Sequence, residues 1–171
     1  MEKEIIHPKA DGIFVDTEGT LIIDDRLNEG LYETMSLLKQ IGEKVIILTG
    51  SPLKMTKDRL QEIGVDINRF PIEPKAKYRD TIFTGYIIDD CSPSSQRFII
   101  EHPERYLEPY DAESASEFLE YISLTHKQAW EEKLEKIRKH KERQLKAPTK
   151  VADHKDGILE RLFGKIKQLI K

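Results

Sequence analysis

Short apolar runs alternate with amphipathic segments along residues 1–125. The runs are rich in branched and aromatic side chains, which is typical of buried strands. The segments between them repeat apolar side chains at every third or fourth position, which predicts helices. Because strands separated by helices pair side by side, the pattern predicts an α/β fold with a Rossmann-like parallel sheet of about five strands.

The predicted elements can be placed by their boundaries. Strands are expected at residues 12–16, 45–48, 86–89 and 98–100, with a short extended piece at 67–72. Helices are expected at residues 28–41, 52–64, 74–82 and 112–122. Ser51, followed by Pro52, is predicted to cap the second helix, and Asp111 is predicted to cap the fourth.

The composition changes after about Thr125, where a segment rich in lysine, glutamate and arginine begins. A helix is predicted from residue 126 to about 146, with Glu135 and Lys139 as a favourable i, i+4 pair. A second helix is predicted over residues 156–171, with one apolar and one basic face. The chain is therefore predicted to consist of an α/β domain at residues 1–125 and a charged helical extension at residues 126–171.

The charge is distributed unequally between these two parts. The whole chain has a net charge of -3, but residues 126–171 carry +7 and residues 1–125 carry -10. The basic extension is either a solvated surface or a contact for nucleic acid, an anionic membrane or an acidic partner. Because its last helix is strongly apolar on one face, we expect docking or homo-oligomerisation in preference to membrane binding.

Two further features bear on location. No apolar run approaches the roughly 20 residues needed to cross a bilayer, and the first residues are acidic. A single cysteine, Cys91, agrees with a reducing compartment. We therefore expect a cytoplasmic protein.

Four polar residues follow apolar runs or begin a helix beside one: Asp16, Thr49, Lys75 and Asp89. The carboxyl ends of parallel strands meet at one edge of a sheet, so we expect these side chains to share a crevice. Transfer of a phosphoryl group requires a metal ion, a cation and hydrogen-bond donors around its oxygens. The four residues supply groups of those types.

These residues lie in four motifs that resemble the haloacid dehalogenase superfamily of aspartate-nucleophile phosphohydrolases. The motifs are Phe14-Val15-Asp16-Thr17-Glu18-Gly19-Thr20, Ile46-Ile47-Leu48-Thr49-Gly50, Lys75 after Pro74, and Ile87-Ile88-Asp89-Asp90. They occur in the family's order, and the resemblance extends from about residue 10 to residue 122. It does not include the extension.

The resemblance implies a role for each catalytic residue. Asp16 would be the nucleophile that becomes an aspartyl-phosphate. Thr49 and Gly50 would bind the phosphoryl oxygens, and Lys75 would neutralise charge on the nucleophile and the substrate. Lys77 competes for the lysine role, and we prefer Lys75 because it follows a proline at an expected helix start.

The resemblance also implies a Mg²⁺ site. Its ligands would be the carboxylates of Asp16 and Asp89, the backbone carbonyl of Glu18 and, directly or through water, Asp90. Glu18 departs from the family, which usually has aspartate here as general acid and base. The site is then either active in a slightly widened form, slow to hydrolyse its phosphoenzyme, or a remnant; retained activity is our preferred interpretation.

The spacing of the motifs leaves no room for a cap domain. Only 32 residues separate Asp16 from Thr49, and 25 separate Thr49 from Lys75. Capless relatives act on large substrates or close the site with a neighbouring subunit. We therefore expect a Mg²⁺-dependent phosphatase for a macromolecular or nucleotide-type phosphomonoester. The alternative is a weak or inactive interaction module whose basic extension binds nucleic acid, a ribonucleoprotein or a protein partner.

Overall fold

The structure is a computed structural model that describes residues 6–125 together with Glu135 and Lys139. Glu135 and Lys139 are helical and form the expected ion pair at 3.5 Å. Otherwise the predicted helices at 126–146 and 156–171 lie outside the described residues. The boundary predicted at residue 125 remains a prediction.

The described residues form short strands, three α-helices and two 3₁₀ turns. The strands are β1 (Lys9–Ala10), β2 (Ile13–Asp16), β3 (Ile22–Ile23), β4 (Arg26–Leu27), β5 (Val45–Thr49), β6 (Ile72–Pro74), β7 (Ile82–Phe83), β8 (Tyr86–Ile88), β9 (Ile99–Ile100) and β10 (Tyr106–Leu107). The helices are α1 (Glu29–Gln40), α2 (Leu53–Glu62) and α3 (Ala115–Thr125), and the 3₁₀ turns are Lys75–Tyr78 and Pro103–Arg105.

Five strands form the main sheet in the order β10-β8-β2-β5-β6, and all neighbours in it are parallel. The predicted α/β fold with a five-stranded parallel sheet is thus confirmed. From β2 the chain continues to β5 and then β6 on one side of β2. It later adds β8 and then β10 on the other side of β2. The order therefore reverses between β2 and β8, which is where open α/β sheets place their binding crevice.

The core of the sheet is apolar on both faces, as expected for strands covered from two sides. All four residues of β2 and all five of β5 are buried. An aromatic cluster packs on Phe14, which makes edge-to-face contacts with Tyr78 and Phe83 at centroid distances of 5.3 and 4.9 Å. Phe98 extends the cluster beside Phe83.

The chain divides into two compact units. One comprises residues 1–28 and 43–109 and, in its described part, contains all the strands and α2. The other comprises residues 29–42 and 110–171, and in its described part α1 packs against α3. The amide of Gly30 donates to the carbonyl of Ala112 at 3.0 Å in this second unit, where an added methyl group on Gly30 would contact the backbone of Ser114.

The helix predicted at residues 74–82 is wrong. The chain forms strand β6, one 3₁₀ turn and then strand β7. Helical geometry ends at Arg79, which is extended, and Asp80 has a left-handed backbone with φ 57°. The amide of Asp80 bonds to the carbonyl of Arg97 at 2.9 Å, so a tertiary contact replaces the next helical hydrogen bond.

Two predicted caps and two predicted strand positions also need correction. Helix α2 has Pro52 at its N-cap and no side-chain cap, and the amide of Ser51 donates to the Thr49 hydroxyl. Helix α3 begins at Ala115, not at residue 112, and the Ser114 hydroxyl accepts from the amide of Glu117 where Asp111 was expected to cap. The extended piece expected at 67–72 is β6, shifted to 72–74, and the strand expected at 98–100 pairs with β7 in a separate sheet.

The start of β8 depends on a close backbone approach between two glycines. The amide of Tyr86 donates to the carbonyl of Gly12 at 2.9 Å, and Gly12 has a left-handed φ of 141°. A methyl group on Gly85 would lie 2.0 Å from that same carbonyl oxygen. Only glycine therefore fits at position 85.

We predict that Gly85→Ala lowers the free energy of unfolding by about 2 kcal/mol or more, because the backbone at Gly12 must move to admit the methyl group. Urea denaturation followed by circular dichroism measures this loss. Gly50→Ala is the matched control, since nothing lies within 4 Å of a methyl group there and its stability should stay within about 0.5 kcal/mol of wild type. Equal stability of the two variants would contradict the close-approach interpretation.

Candidate active site

The register of the main sheet brings the predicted site residues to one edge. Asp16 ends β2 opposite Leu48, and Thr49 ends β5 one residue further on. Val15 pairs with Ile88, so Asp89 follows β8 at the level of Asp16. Lys75 follows Pro74, which pairs with Thr49. Each residue therefore lies at the carboxyl end of its own parallel strand, on either side of the point where the strand order reverses.

Lys75 links the two aspartates. Its Nζ lies 3.0 Å from Oδ1 of Asp16 and 2.8 Å from Oδ2 of Asp89. All three residues are buried, with exposed fractions of 8% for Lys75, 3% for Asp16 and 1% for Asp89. Two carboxylates thus share one ammonium group away from solvent, and the cluster has one more negative than positive group.

This shortage of positive charge affects the acidity of Asp16. Burial, and then the charge of Asp89, raise the pKa of Asp16 from its ordinary value of 3.8 to about 7, against the opposing effect of Lys75. Burial by itself would lower the pKa of Lys75, but its contacts with Asp89 and Asp16 outweigh that effect and raise it. Lys75 is therefore a cation at neutral pH, while Asp16 changes charge near neutrality.

The predicted rival, Lys77, is placed elsewhere. Its Nζ lies 2.8 Å from Oε2 of Glu73, four residues earlier on β6, and 5.5 Å from the ring centre of Tyr78. Its side chain is 57% exposed, whereas that of Lys75 is 10% exposed. Of the two lysines, Lys75 is the one whose ammonium group contacts Asp16.

Thr49 is held by a short chain of hydrogen bonds. Its buried hydroxyl accepts from the amide of Ser51 at 3.0 Å and lies 2.9 Å from the hydroxyl of Thr56 on α2. The Thr56 hydroxyl in turn can donate to the carbonyl of Pro52 at 3.4 Å. The Thr49 oxygen is thus fixed, while its proton can point to Thr56, to the carbonyl of Ser51 at 3.5 Å or to another acceptor. Gly50 is exposed beside it.

Glu18, the predicted acid and base, is engaged by a helix that the motifs do not include. Both carboxylate oxygens of Glu18 accept from Nη1 of Arg59 at 2.7 Å, and Arg59 lies on α2. Nη2 of the same arginine pairs with Asp25. Asp24 and Asp25, both with left-handed backbone, form the two-residue turn between β3 and β4. Arg59 therefore joins Glu18 and this hairpin to α2.

Asp90 packs against the first motif. A methyl group on Gly19 would lie 2.3 Å from Oδ2 of Asp90, so the Asp90 carboxylate would have to shift. The φ of 76° at Gly19 favours glycine by itself. The amide of Cys91 donates to Oδ1 of Asp89 at 2.9 Å, and the hydroxyl of Tyr106 donates to the carbonyl of Cys91. The loop after β8 is thereby held beside the Asp16 segment.

Several functional contacts were not found by sequence reasoning. Arg59, Thr56 and Tyr106 each hold a site residue or its loop. Arg59 and Thr56 are three residues apart on α2, which places them on one face of the helix. That spacing was the available signal, but their partners lie 41 and 7 residues away, and only the fold brings them together.

The site residues fit a hard divalent cation. Oδ2 of Asp89 is buried, and Nζ of Lys75 lies 2.8 Å from it. Because a carboxylate oxygen has two lone pairs, Oδ2 keeps acceptor capacity beside Asp16. Ligand atoms of Asp89, Asp90 and Cys91 lie within 4.8 Å of one another. Mg²⁺ prefers the carboxylate oxygens to the thiol, and a cation would offset the excess negative charge.

Comparison with known proteins gave no match. No family model matches the chain, and neither a curated protein nor a solved structure matches it. Among the described residues, no helix is both long and apolar enough to cross a membrane.

We predict that Asp16→Asn stabilises the protein in a pH-dependent way in the presence of EDTA. Because the pKa of Asp16 is raised on folding, its contribution to stability is complete below pH 3.8 and is lost as pH rises through about 7. The free energy of unfolding of the variant should therefore exceed that of wild type by at least about 1 kcal/mol at pH 8. Its Tm should be higher by ~2–4 °C. The difference should be smaller at pH 5.

Thermal unfolding at the two pH values tests this prediction. The control is Asp11→Asn, an exposed position just before the opposite end of β2, whose effect on Tm should be the same at both pH values. A lower Tm for Asp16→Asn at pH 8, or a pH-independent difference, would contradict the burial argument.

Proposed function

We propose that the chain is a capless Mg²⁺-dependent phosphohydrolase of the haloacid dehalogenase type that forms an aspartyl-phosphate on Asp16. The observation that carries this proposal is the buried contact of Lys75 with Asp16 and Asp89 at the carboxyl ends of the strands. A structural ion pair needs one carboxylate for one ammonium group. The second buried carboxylate is accounted for by a ligand that brings positive charge.

The first chemical step is attack by a carboxylate oxygen of Asp16 on phosphorus. The bond from phosphorus to the ester oxygen breaks, and that oxygen leaves with the electron pair and takes up a proton. Lys75 balances the charge on Asp16 and on the phosphoryl group. Thr49 donates its hydrogen bond to a phosphoryl oxygen by turning away from Thr56.

The second step is attack by water on the phosphorus of the aspartyl-phosphate. The acyl-phosphate bond breaks, inorganic phosphate leaves, and the carboxylate of Asp16 is restored. In the family role, Glu18 gives the proton in the first step and takes one from water in the second. Its carboxylate must leave Arg59 to do so, and we expect turnover to depend on that separation.

Mg²⁺ would be held by the carboxylates of Asp16, Asp89 and Asp90 with the backbone carbonyl of Glu18. When bound, the ion supplies positive charge that offsets the two buried carboxylates and polarises the phosphoryl group. The chain's own residues fix the nucleophile, the cation and the donor in advance. That fixed geometry is the main source of catalysis for phosphoryl transfer.

The substrate we propose is a macromolecular or nucleotide-type phosphomonoester. Residues 17–48 and 50–74 are occupied by the β3–β4 hairpin, α1, α2 and strands, with no inserted cap domain. Specificity in this arrangement comes from loops beside the strand ends.

The proposal predicts Mg²⁺-dependent release of phosphate from p-nitrophenyl phosphate. Asp16→Asn should lower kcat by a factor of about 10³ or more, because the nucleophile is lost. Phosphate release is measured with and without EDTA. The exposed variant Asp11→Asn should keep wild-type activity. Equal rates for wild type and Asp16→Asn in a folded protein would refute the assignment of the nucleophile.

We also predict that Glu18→Asp raises kcat. Aspartate is one methylene shorter, so it loses its reach to Arg59 and restores the family's usual residue. A displacement of about 1 Å can change a rate on the order of 10²-fold, and we expect an increase of about ten- to a hundredfold. Glu18 and Glu62 both line a cavity beside α2. The matched control is therefore Glu62→Asp, which shortens another carboxylate in that wall. An unchanged or lower kcat would show that Glu18 is not what limits turnover.

A second candidate function is supported by the same contact. If Glu18 stays bound to Arg59, the chain is a weak or inactive phosphoacceptor that serves as an interaction module through its basic extension. Phosphorylation of Asp16 by acetyl phosphate without release of phosphate, and salt-sensitive binding of nucleic acid by the full chain, would favour this function. Rapid turnover would exclude it.

A further inference from the structure

A basic cavity of about 190 Å³ opens beside the proposed phosphoryl site. Thr49 and Lys75 belong to its wall, so the cavity is continuous with the residues that would hold the transferred phosphoryl group. Its other polar side chains come from two loops that no motif includes. We call it the arginine pocket, and its polar wall residues are Thr49, Lys75, Arg79, Ser95, Gln96 and Arg97.

The charge of the arginine pocket differs from that of its surroundings. Residues 1–125 carry a net charge of -10, yet the described wall of the pocket has three cationic side chains and no carboxylate. Lys75 is already balanced by Asp16 and Asp89, and Arg97 is balanced by Asp80. Arg79 is exposed, and its guanidinium has no hydrogen bond or ion pair with the described residues. An unbalanced positive charge therefore lies within the wall.

The walls of the pocket are fixed to one another. Nη2 of Arg97 lies 2.6 Å from Oδ2 of Asp80, and the carbonyl of Arg97 accepts from the amide of Asp80 at 2.9 Å. Both residues have left-handed backbones with φ 57°. Backbone strain of this kind persists where the surrounding contacts enforce it, often at binding sites. The double link places Arg97 beside Arg79, the neighbour of Asp80.

The loop at residues 92–97, which provides Ser95, Gln96 and Arg97 to the wall, is held by its own hydrogen bonds. Consecutive turns connect the amide of Ser95 to the carbonyl of Ser92 and the amide of Arg97 to the carbonyl of Ser94. The Ser95 hydroxyl donates to the same Ser92 carbonyl at 2.7 Å. This wall is therefore organised before any ligand arrives, which reduces the entropy lost on binding.

A second cavity, beside Glu18, has the opposite character. It has a volume of about 380 Å³, and its wall contains three carboxylates and one arginine, Arg59. Arg59 already pairs with Glu18 and Asp25, so the described wall of this cavity has no unpaired cation for an anionic ligand. A negatively charged part of a substrate is repelled there and attracted to the arginine pocket.

We propose that the arginine pocket binds a second phosphate group carried by the leaving group of the substrate. This inference rests on the proposed function, because it places the transferred phosphoryl group at Asp16. Guanidinium groups match phosphate oxygens in geometry and remain charged at all physiological pH values. The substrate class is then a phosphomonoester whose leaving group carries another phosphate.

The size of the pocket agrees with this class. A volume of 190 Å³ lies below the roughly 300–1,000 Å³ that encloses a drug-sized ligand. The pocket therefore holds the part of the substrate next to the scissile bond, and a base or a longer chain stays outside. Both a free nucleoside bisphosphate and the phosphorylated end of an oligonucleotide present this chemistry.

The test compares matched substrates that differ by one phosphate. Adenosine 3′,5′-bisphosphate should have a kcat/KM at least about tenfold above that of adenosine 5′-monophosphate, as expected for one additional charge-assisted contact. Arg79→Gln should bring the ratio close to one, and Arg79→Lys should retain part of it. Lys77→Gln is the matched control, since it removes a nearby exposed cation outside the pocket and should keep the full ratio.

Direct binding separates this inference from the proposed function. Calorimetric titration of the Asp16→Asn protein with adenosine 3′,5′-bisphosphate should show a Kd about tenfold below that of the monophosphate, with the difference lost in Asp16→Asn/Arg79→Gln. Binding with this pattern in a wild-type protein that hydrolyses neither compound supports the pocket and refutes the phosphatase. Hydrolysis of both compounds with equal kcat/KM and equal Kd overturns the pocket and leaves the phosphatase standing.

A 5′-phosphorylated diadenylate distinguishes the two sources of the second phosphate. If its kcat/KM equals or exceeds that of the bisphosphate, the pocket binds the first internucleotide phosphate at the end of a nucleic acid. If only the bisphosphate shows the preference, the pocket serves a small metabolite. Failure of both compounds to bind better than the monophosphate overturns the proposal.

Discussion

The balance between one buried ammonium group and two buried carboxylates underlies the candidate site. Lys75 lies within 3.0 Å of Asp16 and Asp89, and all three side chains are too buried for water to solvate their charges fully. Burial, and then the negative charge of Asp89, raise the pKa of Asp16 to about 7. The same charge makes a cation a suitable ligand. The raised pKa of Asp16 and the proposed binding of a metal ion therefore have one origin.

Two cavities beside this cluster differ in charge. The arginine pocket adjoins Thr49 and Lys75, while the cavity beside Glu18 is acidic. In the proposed reaction, an anionic leaving group would extend toward the arginine pocket. The ion pair with Arg59 keeps the proposed acid and base, Glu18, engaged with α2. Under the proposed function, arginines outside the motifs would thus govern both binding and proton transfer.

Much of the fold followed from the pattern of apolar residues. Strands β2, β5 and β8 lie where fully apolar runs were found, because burial on both faces leaves an unmistakable signal. The segment after Pro74 was mistaken for a helix, since its local composition allows one. The bond from Asp80 to the carbonyl of Arg97 ends it instead, and that partner is 17 residues away.

The sequence by itself determined the parallel α/β sheet and the placement of Asp16, Thr49, Lys75 and Asp89 at its edge, because each of these residues is tied to the end of a strand. Only the tertiary structure decided where longer side chains point. Glu18 reaches Arg59 across 41 residues, and Lys75 rather than Lys77 turns toward Asp16. Such choices depend on which charges the folded chain brings within about 3 Å, a distance that no local pattern encodes.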